Sequence, residues 1–248
     1  MNVQTHELPP HEFYRILLSS IAPRPIAWVS TLSKDGMPNM APFLFFNAIC
    51  VNQPLLGFCP SIRQAEDRKV LGTGVKDTLR NIRETGEFVV NTVTFPSVEA
   101  MNLTSGEYEP SVNEFELAKL TIRPSQHVTP PQVAESPISF ECRVYKILDF
   151  GTESSGGSLV IGEIVSVHLK EEVLREGRLD PQSLDLVARM GGSQYSRTTE
   201  RFELPRPERR PKQQEATRRT TEGIETPSAG TLQEGDRMTC CTWQHPPL

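Results

Sequence analysis

Cysteine is scarce and scattered in this chain, with five residues at Cys50, Cys59, Cys142, Cys240 and Cys241. The number is odd, and neither a CxxC nor a Cys/His ligand spacing occurs, which argues against a disulfide framework or a structural zinc site. A reducing compartment fits best. Long apolar runs are also missing: no window approaches the ~20 residues that a membrane-spanning helix requires. The opening Met1-Asn2-Val3-Gln4-Thr5-His6-Glu7 has no basic n-region and no apolar h-region, so it does not read as a secretory leader. Basic residues are not gathered on any one segment of the body, and the formal net charge is -5. That leaves no electrostatic footprint for nucleic acid or an anionic membrane surface. These absences together predict a soluble, cytoplasmic protein that engages neither.

What the chain does carry is organised around Arg24 to Asn47. Arg24-Pro25-Ile26-Ala27-Trp28-Val29-Ser30-Thr31 and Asn39-Met40-Ala41-Pro42-Phe43-Leu44-Phe45-Phe46-Asn47 are two β-rich runs joined through Asp35-Gly36, a dipeptide that supplies positive φ in a hairpin. In the first run Ile26, Trp28 and Ser30 alternate with Ala27, Val29 and Thr31. Pro42 removes a backbone donor from the second, so it predicts an edge, a bulge or a bend. Hydroxyls, an amide and an interrupted ladder around one hairpin suit a barrel wall that hydrogen-bonds a flat polar ring.

The 248 residues suffice for one well-packed domain with tails. Residues 1–12, polar and containing Pro9-Pro10, read as an extended arm before a helical turn at Phe13 to Leu18. Leu55 to Cys59 reads as an inner strand. Residues 62–75 are loop-like, and Asp77 is expected to cap a helix through Leu79 and Ile82 that stops at Gly86. Strands are expected at Glu87 to Val93 and Pro137 to Leu148. In the latter, Ile138, Phe140, Cys142 and Val144 alternate with Ser139, Glu141, Arg143 and Tyr145. A return strand presents Leu159, Ile161, Val165, Val167 and Leu169 as its apolar face, a row in which Glu163 needs a partner. Short helices are expected near Ser97 to Met101 and after Asp180-Pro181, and Asn102 to Glu114 reads as an acidic surface loop. Residues 206–248 have almost no large apolar residues before Trp243 and read as a disordered tail.

Pro23 to Thr31, Gly36 with Asn39 to Phe43, Asn47-Ala48, and Lys76-Asp77-Thr78 with Asn81-Ile82 resemble the flavin reductase-like, FMN-binding split-barrel family, of the flavoredoxin type. The resemblance spans about Tyr14 to Pro205. It implies a mainly β, Greek-key-like split barrel with a few short helices, covering residues 13–205, that binds FMN and pairs as a homodimer. It also implies an oxidoreductase that takes hydride from NAD(P)H and passes electrons to a further acceptor. A non-enzymatic FMN carrier or electron-transfer protein is the alternative. A haem-binding split barrel is a third reading, for which no well-placed axial histidine is evident.

A flavin phosphate calls for hydroxyls, helix N-terminal amides and basic side chains. Ser61, Arg63, Lys76 and Thr78 supply these, with an ordinary solvated helix start as the alternative for Lys76 and Thr78 and a solvated loop arginine for Arg63. Ser30, Thr31, Asn47 and Ala48 are expected at the ring edge, or else as groups that satisfy strand ends. Arg24 is expected to reach the phosphate or a partner subunit, or to lie on the surface. Cys50 and Cys59 read as small core residues. No side chain is required as a catalytic acid or base, and no metal ligands are expected.

Overall fold

The computed structural model describes residues 2–63, 74–151 and 156–207. Most of the stretch from 62 to 75 and of the expected tail therefore lies outside the described residues. One compact unit spans Met1–Phe202. A second spans Glu203–Leu248, and its described part, 203–207, has no regular element.

The hairpin forms as the sequence predicts, from β1 (Ala27–Leu32) and β2 (Pro38–Phe43), with Gly36 at φ 81° in the turn. β3 (Phe46–Cys50), β4 (Leu55–Phe58) and β5 (Glu87–Asn91) follow. Two short strands come next, β6 (Ile122–Arg123) and β7 (Gln132–Val133), and then the long β8 (Ile138–Phe150) and β9 (Gly157–Leu169). Seven of them make one antiparallel sheet in the order β2-β1-β5-β8-β9-β4-β3. β2 and β3 lie at opposite edges, yet only Leu44 and Phe45 separate them in the chain. So short a link spans about 10 Å at most. The sheet therefore curls until its edges face each other, giving a half-barrel with an open seam. Pairs β6/β7, β10 (Leu174–Arg175) with β11 (Arg178–Leu179), and β12 (Val187–Arg189) with β13 (Tyr195–Arg197) lie off the main sheet.

β1 is buried on both faces because it separates two cores. Ala27 and Val29 face the inside of the half-barrel, with Phe58, Phe88, Val90, Val160, and Leu79 and Ile82 from the helix Asp77–Thr85. Ile26 and Trp28 face the other way, against Met40, Met101, Phe115 and Val133. The helix ends where expected, at Gly86 in the left-handed conformation.

Several sequence expectations need correction. The first helix is Pro10–Ser20, beginning inside the supposed arm, because Pro10 takes the first-turn position that proline tolerates. Asp77 is not the cap: Lys76 occupies that position without a side-chain bond, and Asp77 spends its carboxylate on arginines. On β9 the core-facing row is Ser158, Val160, Gly162 and Ile164, so Leu159, Ile161, Val165, Val167 and Leu169 form the outer row. Glu163 in that row is exposed to solvent. Bulges at Glu141/Cys142 and Val144/Lys146 interrupt the simple alternation of β8. Cys50 is exposed on edge strand β3 rather than in the core.

Candidate functional site

A cleft forms where edge strand β2 meets the N-terminus of the helix Asp77–Thr85, with the segment Thr104–Tyr108 closing it. Asn39 ties the two walls together. Its Oδ1 accepts from Thr78 Oγ1 at 2.8 Å and Thr31 Oγ1 at 3.3 Å, and its Nδ2 donates to Glu114 Oε1 at 2.9 Å. Asn81 Nδ2 donates to Thr31 Oγ1 at 3.1 Å, so the helix, β1 and β2 share one polar network. The free space left in the cleft is about 40 Å³. On the other side of Lys76 lies a wider cleft of about 310 Å³, lined by Ser61, Leu79, Arg83 and Asp149 among others.

The floor is a charge cluster. Arg63 Nη2 lies 2.7 Å from Asp77 Oδ2, with side chains only 3% and 10% exposed. Arg63 Nε lies 2.7 Å from Glu107 Oε2, Lys76 Nζ 2.5 Å from Glu107 Oε1, and Arg80 Nη1 2.6 Å from Asp77 Oδ1. Burial alone would raise the Glu107 carboxyl, but the hydrogen bonds and charges of Lys76 and Arg63 outweigh it and hold the group below its ordinary value. Burial likewise works against the Arg63 cation, yet Glu107 and Asp77 outweigh it and raise its pKa. Glu114 goes the other way: burial raises its carboxyl despite bonds from the Met40 amide and Asn39.

Of the residues expected at the phosphate, Arg63, Lys76 and Thr78 line the β2 cleft, while Ser61 lines the adjoining one; Lys76 borders both. Of those expected at the ring edge, Ser30 and Thr31 are fully buried. Ser30 Oγ donates to the Pro131 carbonyl at 2.5 Å and accepts from Asn91 Nδ2 at 3.3 Å. Asn47 and Ala48 are exposed on β3, across the seam. Arg24 is neither a surface residue nor near these groups: it is 3% exposed, and its guanidinium donates to the Leu18, Ile21 and Met190 carbonyls. Sequence reasoning missed Asn39 as the hub and Glu107 and Glu114 as charged walls. The acidic character of residues 102–114 was visible, but nothing local distinguishes a carboxylate that folds back from one that faces water.

The half-barrel leaves one edge of β2 unpaired beside a helix start flanked by Arg63 and Lys76, cations of the kind that suit an anionic group. The family model for the flavin reductase like domain matches residues 19–187, and the chain belongs to that family. A protein of Halalkalibacterium halodurans is 38% identical over 209 residues, covering 84% of this chain and 97% of that one. Among solved structures, nitrilotriacetate monooxygenase component B from Bacillus cereus superposes with a TM-score of 0.75 at 33% identity, covering 82% of this chain and 98% of that one. The 2-nitrobenzoate 2-nitroreductase of Pseudomonas fluorescens gives 0.72 at 32% identity, covering 86% and 100%. The split-barrel flavin reductase fold expected from the sequence is therefore the fold of this chain.

The cleft's chemistry fits a flavin mononucleotide. Arg63 and Lys76 converge on the two oxygens of one carboxylate, a stand-in for phosphate oxygens, and the adjacent nine-residue helix starts without a side-chain cap.

Proposed function

We propose that this protein is an FMN-binding oxidoreductase that takes hydride from NAD(P)H and passes electrons on to a further acceptor, working in the cytoplasm as a homodimer. The observation that carries the reading is the convergence of Arg63, Lys76 and the N-terminus of the helix Asp77–Thr85 beside the unpaired edge of β2. When bound, the flavin supplies the two-electron chemistry. The chain's own residues bind, orient and shield.

Arg63 and Lys76 hold the phosphate, with the first-turn amides of the helix adding their partial positive charge. Thr78 is 1% exposed and its hydroxyl is given to Asn39, so its side chain locks the wall and its part in the phosphate site is to hold the helix start in place. Ser61, on the far side of Lys76, is the hydroxyl that extends this site toward the wider cleft. Ser30 and Thr31 stand behind β2 and act by position: Thr31 braces Asn39, and Ser30 braces Asn91, whose Nδ2 donates to the Trp28 carbonyl at 3.1 Å. Asn47 and Ala48, on the facing edge, present the amide and backbone that border the ring. The wider cleft is where a nicotinamide nucleotide enters.

The test starts from the full-length protein. It is expected to purify yellow, to release FMN on denaturation, and to bleach under anaerobic NADH or NADPH. A colourless protein that does not take up added FMN would sink the proposal. Bound FMN that neither nucleotide reduces would leave a flavin carrier instead.

A further inference from the structure

Arg63 and Lys76 bind the same carboxylate from two sides, through Glu107 Oε2 and Oε1. Two cations on two oxygens of one anion is how proteins commonly hold a phosphoryl group, and here the chain fills that position itself. Other contacts hold the segment that carries it. Glu107 belongs to a short segment anchored at Thr104, which accepts from Trp28 Nε1 at 2.9 Å and donates to the Met101 carbonyl at 2.8 Å. The segment folds back on itself through Tyr108, whose hydroxyl donates to the Leu103 carbonyl at 2.8 Å. Between those ties Ser105 and Gly106 are exposed, and the Glu107 side chain is 29% exposed. Releasing Glu107 does not strand Arg63 in the interior, because Asp77 remains its buried partner.

We propose that Glu107 is an internal anion that a phosphomonoester must displace from Arg63 and Lys76, so that this one side chain sets the affinity and selectivity of the cleft for phosphorylated ligands. The part of this inference that concerns FMN rests on the flavin reading above; the anion site itself does not.

Space and charge both require displacement. The cleft has about 40 Å³ free, enough for a few waters and too little for a phosphoryl group with its polyol. Among the described residues, Arg63, Lys76 and Arg80 face Asp77 and Glu107. A phosphomonoester, with nearly two negative charges at neutral pH, would make that set net negative unless Glu107 left. Once it leaves, the dianion gains more from Arg63 and Lys76 than a singly charged carboxylate does. A ligand without phosphate, such as riboflavin, gains nothing by displacing it.

The experiment compares the full-length wild type with Glu107→Gln, titrated with FMN and with riboflavin by flavin fluorescence, and with inorganic phosphate by melting temperature. Removing the competing charge should tighten FMN about tenfold and leave riboflavin unchanged. Phosphate should raise the melting temperature of the variant at lower concentration than that of the wild type. Equal or weaker FMN binding in the variant would overturn the proposal, since Glu107 would then only support the cations. If phosphate stabilises the variant preferentially but neither protein binds flavin, the anion site stands and the flavin reading falls. If neither FMN nor phosphate acts on either protein, both fall.

Discussion

Met40 gives its backbone amide to Glu114 Oε2 at 3.1 Å, although 74 residues separate them in the chain. The bond shows which way β2 points its backbone groups. Met40 pairs with Ser30, and its alternate neighbours Pro38 and Pro42 pair with Leu32 and Trp28. Strand groups alternate in direction, so these three positions face away from β1. Two of them have no N–H and Glu114 takes the third. The open edge of β2 therefore offers acceptors and no free donor, which guards it against pairing with another strand. Glu114→Ala leaves the Met40 amide and the Asn39 side chain without their acceptor. It should cost about 1–3 kcal/mol in urea unfolding and weaken FMN by loosening the cleft wall. An unfolding midpoint equal to that of the wild type would show that the bond contributes nothing.

The charge cluster predicts a pH signature. Glu107 is held below its ordinary value of 4.5 by Lys76 and Arg63 against the opposing effect of burial. A carboxyl depressed in the folded state contributes stability that is present above its unfolded pKa and is lost as pH falls through the folded one. Wild type should therefore melt above Glu107→Gln at neutral pH, by a small margin because the pair is partly exposed. The two melting curves should converge as pH drops below the ordinary glutamate range. A gap that persists unchanged into acid would mean that the ion pairs are not its source.

Gly162 lies in the core-facing row of β9 where the Phe88 ring fills the space of a side chain. A Cβ there would meet Phe88 Cζ at 2.3 Å and the Cys142 Cβ at 3.2 Å. Phe88 is fully buried and edge-on to Phe58, with ring centroids 5.4 Å apart, so it cannot retreat without disturbing the core. Gly162→Ala should destabilise by about 1–3 kcal/mol through overpacking. A melting temperature within error of the wild type would show that the ring has room to move.

The hairpin, the helix with its glycine stop and the pairing of two long strands were all legible, because each rests on local chemistry: Asp35-Gly36, Gly86, and period-two alternation. The face of β9 was not. Both its rows are apolar, and only the close approach of Phe88 to Gly162 decides which one packs inward, a contact between residues 74 positions apart. For the same reason Ser30 and Thr31 read as pocket hydroxyls from the sequence. Their buried partners, Pro131 and Asn81, come from distant segments. Lys76, Thr78 and Arg63 were legible as candidates because helix starts and cations carry their chemistry locally, and all three line the β2 cleft. Glu107 was not, since its contacts with Arg63 and Lys76 exist only where the chain folds back.

The outer row of β9 leads to the last prediction. Ile49 from β3 lies across Gly57, its Cδ1 2.7 Å from where a Cβ would be, and Leu159 Cδ1 approaches the same point at 3.2 Å. Ile161 pairs with Gly57 in the ladder, so Ile49, Leu159 and Ile161 form one apolar surface over a glycine hollow. Further along the same row Val167 and Leu169 are 46% and 38% exposed, and Ile49 itself is 49% exposed. An outer face of this kind, apolar on either side of Glu163, suits an interface better than water, and a twofold pair of identical faces is the commonest way to cover it. Such a pairing would also place the nearby β3 edge, with Asn47 and Ala48, against a second subunit. Ile49→Glu puts a charge on that face without touching either core, so it should convert a dimer into a monomer in light scattering while keeping the melting temperature of the isolated fold. FMN should bind the variant more weakly if the pair completes the site. A wild type that scatters as a monomer at all concentrations, with and without FMN, would rule the interface out.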